Sequence, residues 1–290
     1  MAHNVGVTTL PSAIQAATRR ALASGALQPI ETETRLHEDA GVRFILRRVS
    51  SLARKDEAHR GQRPADPLGD YEPDLFVADL GPDHYVLLNK FNLMPGHVLI
   101  VARRFEPQES LLTRADFEAL AGGLREIDGL GFYNGGAQAG ASQARKHLQL
   151  VPLPLARESP DAVPMERVLG GDGGGPAFAH AHAAIPVDAS AAGLHALYRR
   201  LLRQAGIEAV DDTRGERPSS AYNLLVRRYW MLVVPRSQAC FGAIPVNALG
   251  FAGSLFVRSL ADLELARRLG PMAVLRAVAA SAAPGTSRAG

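Results

Sequence analysis

The stretch "FYNGGAQAGASQARKHLQLVPLP", Phe132 to Pro154, sets an apolar strand, a glycine-rich loop and a second apolar strand end to end, with His147 at the mouth of the second. Side chains alternate between faces along a strand. His147, Gln149 and Val151 therefore share one face, and Leu148, Leu150 and Pro152 share the other. The apolar face suits packing on a helix and leaves His147 beside Gln149 at the strand's open end. The loop before it, "YNGGAQAGASQ", is built of glycines and small polar groups, which lets backbone N–H groups approach an anion closely. An imidazole with an ordinary pKa of about 6.5 keeps a neutral, nucleophilic nitrogen at cellular pH, and a phosphorus bound to it can be passed on. By spacing alone, a histidine heading a strand suits a hydrogen-bonded edge residue better. Nucleophile, amide donor and glycine loop together suit attack on a phosphate ester.

Outward from this stretch the chain reads as α+β. Towards the N-terminus, Pro11–Leu27 has a helical pattern with Ser12 as a cap. Gly41–Lys55 begins strand-like, and Asp56–Asp70 is a polar loop punctuated by proline and glycine. "HYVLLNKF" and "HVLIVARRF", joined by "NLMPG", read as an antiparallel hairpin. "LTRADFEALAGGLREIDGL" follows as an amphipathic helix, with Thr113 and Asp116 spaced as a capping box. Towards the C-terminus, residues 156–195 form a Gly/Ala-rich linker. A helix over "AAGLHALYRRLLRQAG", two strands in "YNLLVRRYWMLVVPRS", the segment "VNALGFAGSLFVRSL" and a helical end complete the chain. A hairpin with a trailing helix thus occurs twice. The expected architecture is a mostly antiparallel sheet with helices, in two related halves, 1–155 and 196–290.

Composition narrows the class. Hydrophobic residues make up 47% and charged residues 21% of 290 residues, ordinary for a globular chain. A net charge of +3 without a basic stripe argues against a nucleic-acid surface. No apolar run reaches the roughly 18–20 residues that span a bilayer, and the N-terminus lacks a signal-peptide pattern. The expectation is a cytoplasmic protein. The single cysteine, Cys240, excludes an intramolecular disulfide and a Cys-x-x-Cys zinc site. The "HAHAA" pair, His180 and His182, lacks further ligands at metal-site spacing. Only three lysines occur, Lys55, Lys90 and Lys146, amid abundant arginine. A retained lysine hints that a compact ammonium is wanted there.

The segments "NKFNLMPGHVLIV", "YNGG…GASQ…KHLQ", "AYNLLVRRYWMLVVPRS" and "VNALGFAGS", in that order, resemble the ATP adenylyltransferases, or diadenosine tetraphosphate phosphorylases, of the histidine-triad superfamily. The resemblance spans about Ile30 to Val278 and implies a histidine-triad-like fold. In the family motif His-x-His-x-Gln, the nucleophile's role falls on His147 and the phosphate-holding amide's on Gln149. Substrate contacts are implied at Lys55, Asn89, Lys90 and Asn134, and along the loop Gly140, Ala141, Ser142 and Gln143. Others are implied at Asn247, Ala248, Leu249, Ser254 and Arg258. The family's first motif histidine is Arg145 here, a donor-only group that cannot replace a neutral imidazole acceptor. It either swings out to bind phosphate or disables the site.

The implied reaction is a two-step displacement: diadenosine tetraphosphate adenylylates His147 and releases ATP, then inorganic phosphate takes the AMP as ADP. A divalent cation, Mg2+, is implied with the nucleotide, although the sequence offers no dedicated carboxylate cluster for it. The implied partners are a dinucleoside polyphosphate, ATP, ADP and phosphate, with no nucleic acid and no membrane, and the chain is expected to be a monomer. Two other readings share these letters: a hexose-1-phosphate uridylyltransferase-like enzyme, and a nucleotide-binding relative without turnover.

Overall fold

The alternation around His147 builds the middle of an eight-stranded sheet in which every neighbouring pair is antiparallel. The computed structural model describes residues 9–49, 65–170, 175–213 and 215–280. Helix α1, Leu10–Ser24, comes first, and its cap is Thr9 rather than Ser12. With Pro11 in the first turn, the Thr9 hydroxyl is left to accept the N–H of Ser12. Strands β1, Thr32–Asp39, and β2, Val42–Val49, form a hairpin. Its turn residues, Ala40 and Gly41, both have positive φ, 48° and 77°, as a tight two-residue turn requires.

The large sheet takes up β3, Phe76–Leu80, β4, His84–Leu88, and β5, Val98–Ala102. Helix α2, Arg114–Glu126, opens with the expected capping box between Thr113 and Asp116. It returns the chain to β6, Gly129–Gly135, and β7, His147–Pro152.

The segment read as a linker contributes structure. A short helix α3, Glu166–Leu169, is followed by β8, Ala181–Ala184, which pairs with a later strand at the sheet's edge. Helix α4, Ala191–Gln204, comes next, then the small hairpin β9, Ala209–Asp212, with β10, Gly215–Pro218. Strands β11, Tyr222–Val226, and β12, Trp230–Pro235, complete the large sheet. A two-residue pair, β13, Cys240–Phe241, and β14, Ile244–Pro245, precedes the short helix α5, Ala248–Phe251. Strand β15, Ser254–Val257, runs parallel to β2, making a three-stranded sheet β1-β2-β15. The helical end is two helices, α6, Leu260–Leu269, and α7, Pro271–Val278, divided at Gly270 and Pro271.

The order across the large sheet is β3-β4-β5-β7-β6-β11-β12-β8. Two equivalent units are visible in it, β5-α2-β6-β7 and β8-α4-β11-β12, meeting at the antiparallel pair β6–β11. The repeated element is therefore strand–helix–hairpin, not hairpin with trailing helix. Its second copy starts inside the supposed linker, at β8, whose sequence AHAA carries no β-branched residue and is a strand by virtue of its pairing with β12.

One face of the large sheet, with Leu148, Leu150, Val98, Ile100, Leu224 and Val233, packs on α1, α2 and α4 through Leu120, Leu124, Phe117, Leu197 and Leu201. Each such Leu or Val contributes about 1.5–3 kcal/mol on full burial. Gly123 lets α2 lie close: a Cβ there would meet Leu150 Cδ2 at 2.9 Å. The other face carries two separate apolar clusters. Val151, Leu130, Phe132, Leu225 and Leu232 pack under the small sheet and the C-terminal helices through Phe44, Leu255, Val274 and Leu275. Leu87, Leu99, Val101, Tyr85 and Leu68 form the second. His147 and Gln149 face the gap between them, with Val101 and Leu99 opposite on β5 and Phe132 opposite Gln149 on β6.

Candidate active site

The alternation along β7 divides chemistry from support. On the even side Lys146 is fully buried, and its Nζ lies 2.7 Å from Asp116 Oδ2 and 2.8 Å from Glu106 Oε2. Asp116 also meets His84 Nε2 at 2.8 Å through its other oxygen. Burial alone would raise the Asp116 carboxyl, but the His84 hydrogen bond and the Lys146 charge outweigh it and hold the group well below its ordinary range. The compact ammonium at position 146 thus fastens β7 to the start of α2.

On the odd side the His147 ring is oriented by main chain. Its Nδ1 lies 2.8 Å from the carbonyl oxygen of Arg145. A carbonyl only accepts, so Nδ1 carries the proton and Nε2 keeps its lone pair. Burial lowers the imidazole below its ordinary 6.5, although the Arg145 carbonyl works in the other direction. The ring is therefore neutral at neutral pH.

The backbone of His147 is held as tightly. Gln108 Oε1 accepts its N–H at 2.8 Å, while Gln108 Nε2 donates to the carbonyls of His147 at 3.2 Å and Asn134 at 3.0 Å. One buried amide therefore bridges β6 and β7 just past the end of their ladder at Phe132 and Gln149.

Gln149 is set by a chain of polar contacts. Its Oε1 accepts from His97 Nε2 at 2.9 Å, and His97 Nδ1 accepts from Asn89 Nδ2 at 3.2 Å. This order requires a neutral His97. Burial supplies it by pushing that ring down to about 4, against the Gln149 hydrogen bond and with the help of His147. Held by its oxygen, Gln149 has an NH2 end with no partner among the described residues.

The loop between β6 and β7 turns at Gly136 and Gly140, whose φ values are 99° and 89°. A Cβ on Gly140 would meet Asn247 Cβ at 2.9 Å and Val246 O at 2.9 Å, so the loop lies directly against the segment before α5. Asn134, on β6, ties the same pieces together. Its Oδ1 accepts from Ala248 N at 3.0 Å and from Asn223 Nδ2 at 2.9 Å. Asn247 caps α5 by accepting the N–H of Leu249 at 3.0 Å. Ala141 and Gln143 are half-buried along the loop, and Ser142 is exposed.

The residues picked from sequence divide accordingly. His147 and Gln149 are brought together with Asn89, while Asn134, Gly140, Asn247 and Ala248 are joined to one another. Lys90 pairs with Glu72 at the hairpin. Leu249 is buried in the apolar cluster beneath the small sheet. Ser254 is buried on β15, opposite Ile45 in the small sheet, with its hydroxyl unpartnered. Arg258 is exposed. No described contact links Ser254 or Arg258 to His147. Lys55 lies outside the described residues.

Arg145 turns its side chain away. Nε and Nη2 meet Asp66 Oδ2 at 2.9 and 2.6 Å, Nη1 donates to the carbonyls of Ala102 and Arg103, and the guanidinium lies over Phe105. Sequence reasoning missed Gln108, Asn223 and Arg236. Among the described residues, no three His, Cys, Asp or Glu side chains are placed to hold a metal ion. No helix among them is long and apolar enough to cross a membrane.

Comparison with known proteins agrees with this architecture. Residues 2–171 match the family described as Ap4A phosphorylase N-terminal domain, and residues 176–281 match ATP adenylyltransferase C-terminal domain. The chain is 31% identical over 251 residues to diadenosine 5',5'''-P1,P4-tetraphosphate phosphorylase 2 of Saccharomyces cerevisiae, covering 74% of this chain and 76% of that one. It is 28% identical over 273 residues to Protein APA1 of the same yeast, covering 83% and 84%. The crystal structure of yeast Ap4A phosphorylase Apa2 superposes with a TM-score of 0.79 at 24% identity, covering 96% of each chain. The same enzyme in complex with Ap4A gives a TM-score of 0.75 over 92% of this chain and 96% of that one, also at 24% identity.

Proposed function

The chain belongs to the Ap4A phosphorylase family, and on that premise we propose that it cleaves diadenosine tetraphosphate with inorganic phosphate to ATP and ADP. The observation that carries the proposal is the 2.8 Å contact from His147 Nδ1 to the Arg145 carbonyl. It leaves Nε2 free beside Gln149. In the first step Nε2 attacks the α-phosphorus, the bond from that phosphorus to the oxygen bridging to the β-phosphorus breaks, and ATP leaves. The adenylylated ring is cationic, and its Nδ1–H, already aimed at a carbonyl oxygen, is stabilised there as the charge develops. In the second step an oxygen of inorganic phosphate attacks the same phosphorus, the P–N bond breaks, and ADP leaves with the ring neutral again.

Gln149 donates its free NH2 to the non-bridging oxygens in both steps. An amide has no proton to exchange as a general acid or base, so the intermediate waits for phosphate rather than activating water. The loop from Gly140 to Gln143, with Asn134 and Asn247 behind it, cradles the polyphosphate. Asn89, Lys90, Lys55 and, further off, Leu249, Ser254 and Arg258 are assigned to the nucleotides only through the family likeness. A divalent cation enters as the polyphosphate's counter-ion, not as a resident of the protein.

The Arg145 side chain is occupied by Asp66 and two carbonyls, so it does not obstruct the ring. This favours the enzyme over a relative that binds without turnover. Pairing of the two units within one chain fits a monomer, and the exposed free thiol of Cys240 fits a reducing, cytoplasmic compartment. The test is incubation with diadenosine tetraphosphate, Mg2+ and phosphate, followed by separation of nucleotides. Equal, phosphate-dependent ATP and ADP is the expected result. Binding by calorimetry with no phosphate-dependent turnover would overturn it.

A further inference from the structure

Two arginines of the second unit are almost completely buried, at opposite ends of the β11–β12 hairpin, and they are neutralised differently. Arg227, in the turn, has carboxylate partners: Asp128 at 2.8 Å and Glu166 at 3.2 Å. Arg236, just past the end of β12, is 2% exposed, and its hydrogen-bond partners among the described residues are all neutral oxygens. Nε donates to Val278 O at 3.1 Å, Nη1 to Ala139 O at 3.3 Å and to Asn223 Oδ1, and Nη2 to Gln238 O at 2.7 Å and Val246 O at 2.9 Å. Its guanidinium lies over the Phe251 ring, 5.2 Å from the centroid. No carboxylate among the described residues pairs with it. Burial pushes the group down to about 10, so it remains a cation at neutral pH. A buried cation without a counter-charge is costly unless something anionic arrives to complete it.

Arg236 is placed against one particular loop. Ala139 ends the turn Ala137–Ala139 of the loop between β6 and β7, and Val246 O is the atom 2.9 Å from a Cβ built on Gly140. Asn223 Nδ2, whose own oxygen Arg236 holds, donates to Ala139 O at 2.8 Å and to Asn134 Oδ1. Arg236 therefore lies directly behind the loop, bonded to both of its walls.

We propose that Arg236 is a positioning residue that shapes this loop and supplies it with an uncompensated positive charge, so that affinity for a nucleotide rises with the number of its phosphates. The proposal rests on the phosphorylase reading and adds to it a residue from the second unit that the sequence motif does not contain. Exclusion of solvent from the guanidinium leaves such a charge weakly screened across the thickness of one loop.

The test is calorimetric binding of adenosine, AMP, ADP and ATP to the full chain and to three variants. In the wild type, affinity climbs along the series. Arg236→Met flattens the climb by at least about threefold per added phosphate and leaves adenosine within about twofold. Arg236→Lys keeps the slope while weakening every member. Asn223→Asp sets a carboxylate against the guanidinium, flattens the slope with Arg236 still in place, and carries the test should Arg236→Met not fold. Equal loss for all four ligands in Arg236→Met and Asn223→Asp overturns the proposal, since a residue acting through the phosphate loop must weaken the longer nucleotides more. A slope lost in Arg236→Lys as well overturns the part assigned to charge. A wild type that binds no adenine nucleotide overturns the phosphorylase reading itself, and that arm reads independently of the variants.

Discussion

The two strand–helix–hairpin units share a plan and differ in their hairpins. In the first, β6 and β7 are separated by residues 136–146, a long loop with glycines at its bends, and β7 shows an imidazole and an amide on one face. In the second, β11 and β12 are joined by Arg227, Arg228 and Tyr229 alone, and β12 is buried along its whole length as WMLVVP. The first unit holds the proposed reactive pair, His147 and Gln149, and a loop turned by glycines; the second is a short-turned hairpin with fully buried strands, polar chiefly at Asn223. Because β6 and β11 run antiparallel, the closed turn of the second unit lies at the far end of the sheet, and its open end, with Asn223 and Arg236, lies beside the loop of the first.

That contrast can be broken by substitution. The largest effect is expected at His147. His147→Ala removes the proposed nucleophile without touching any of the three core clusters and lowers phosphorolysis by about four orders of magnitude or more, with the melting temperature nearly unchanged. In the intact enzyme, the lowered imidazole predicts a rate that stays flat from neutral pH to below 6.5 before its acid limb. Steady-state kinetics beside a thermal melt checks both statements, and an acid limb above neutrality contradicts the second.

One residue earlier the outcome reverses. Lys146→Met strips Asp116 and Glu106 of their shared cation and costs about 3–5 kcal/mol of stability, read by urea unfolding at pH 7. The sign with pH follows from the depressed Asp116 carboxyl. Its contribution is fully present above its ordinary 3.8 and is lost as pH falls below that value towards its lower folded one. The wild type should therefore lose stability progressively below about pH 4, and the variant should show a shallower acid loss because much of the benefit is already gone.

The smallest effect sharpens the comparison within β7. Arg145→Ala keeps the carbonyl that orients the ring and removes the pair with Asp66, the hydrogen bonds to the Ala102 and Arg103 carbonyls and the contact over Phe105. Turnover should change less than about threefold and stability by about 1–2 kcal/mol. A large loss of turnover with the fold intact would mean that the guanidinium itself works in the reaction.

Much of this was readable from letters because it is local. The alternation that puts His147 beside Gln149, the Thr113–Asp116 capping box and the β4–β5 hairpin each depend on a few adjacent residues. The parts that escape are decided at long range. Strand β1 has the polar sequence TETRLHED and is defined by its pairing with β2. Strand β8 is defined by β12. Gln108 sits in an irregular segment and reaches His147 across 39 positions, and Arg236 reaches Ala139 across 97. An arginine following "VVP" looks like a strand end meeting water. Only the antiparallel seam between the units shows that it points inward.

The contact from His147 to the Arg145 carbonyl has a genetic consequence. A side-chain partner can be deleted by one nucleotide change, whereas every sense codon specifies a residue with a carbonyl. The tether on the His147 ring is therefore written into the polypeptide and not into the letter at position 145. That letter is released to serve the neighbouring surface, as it does in gripping Asp66.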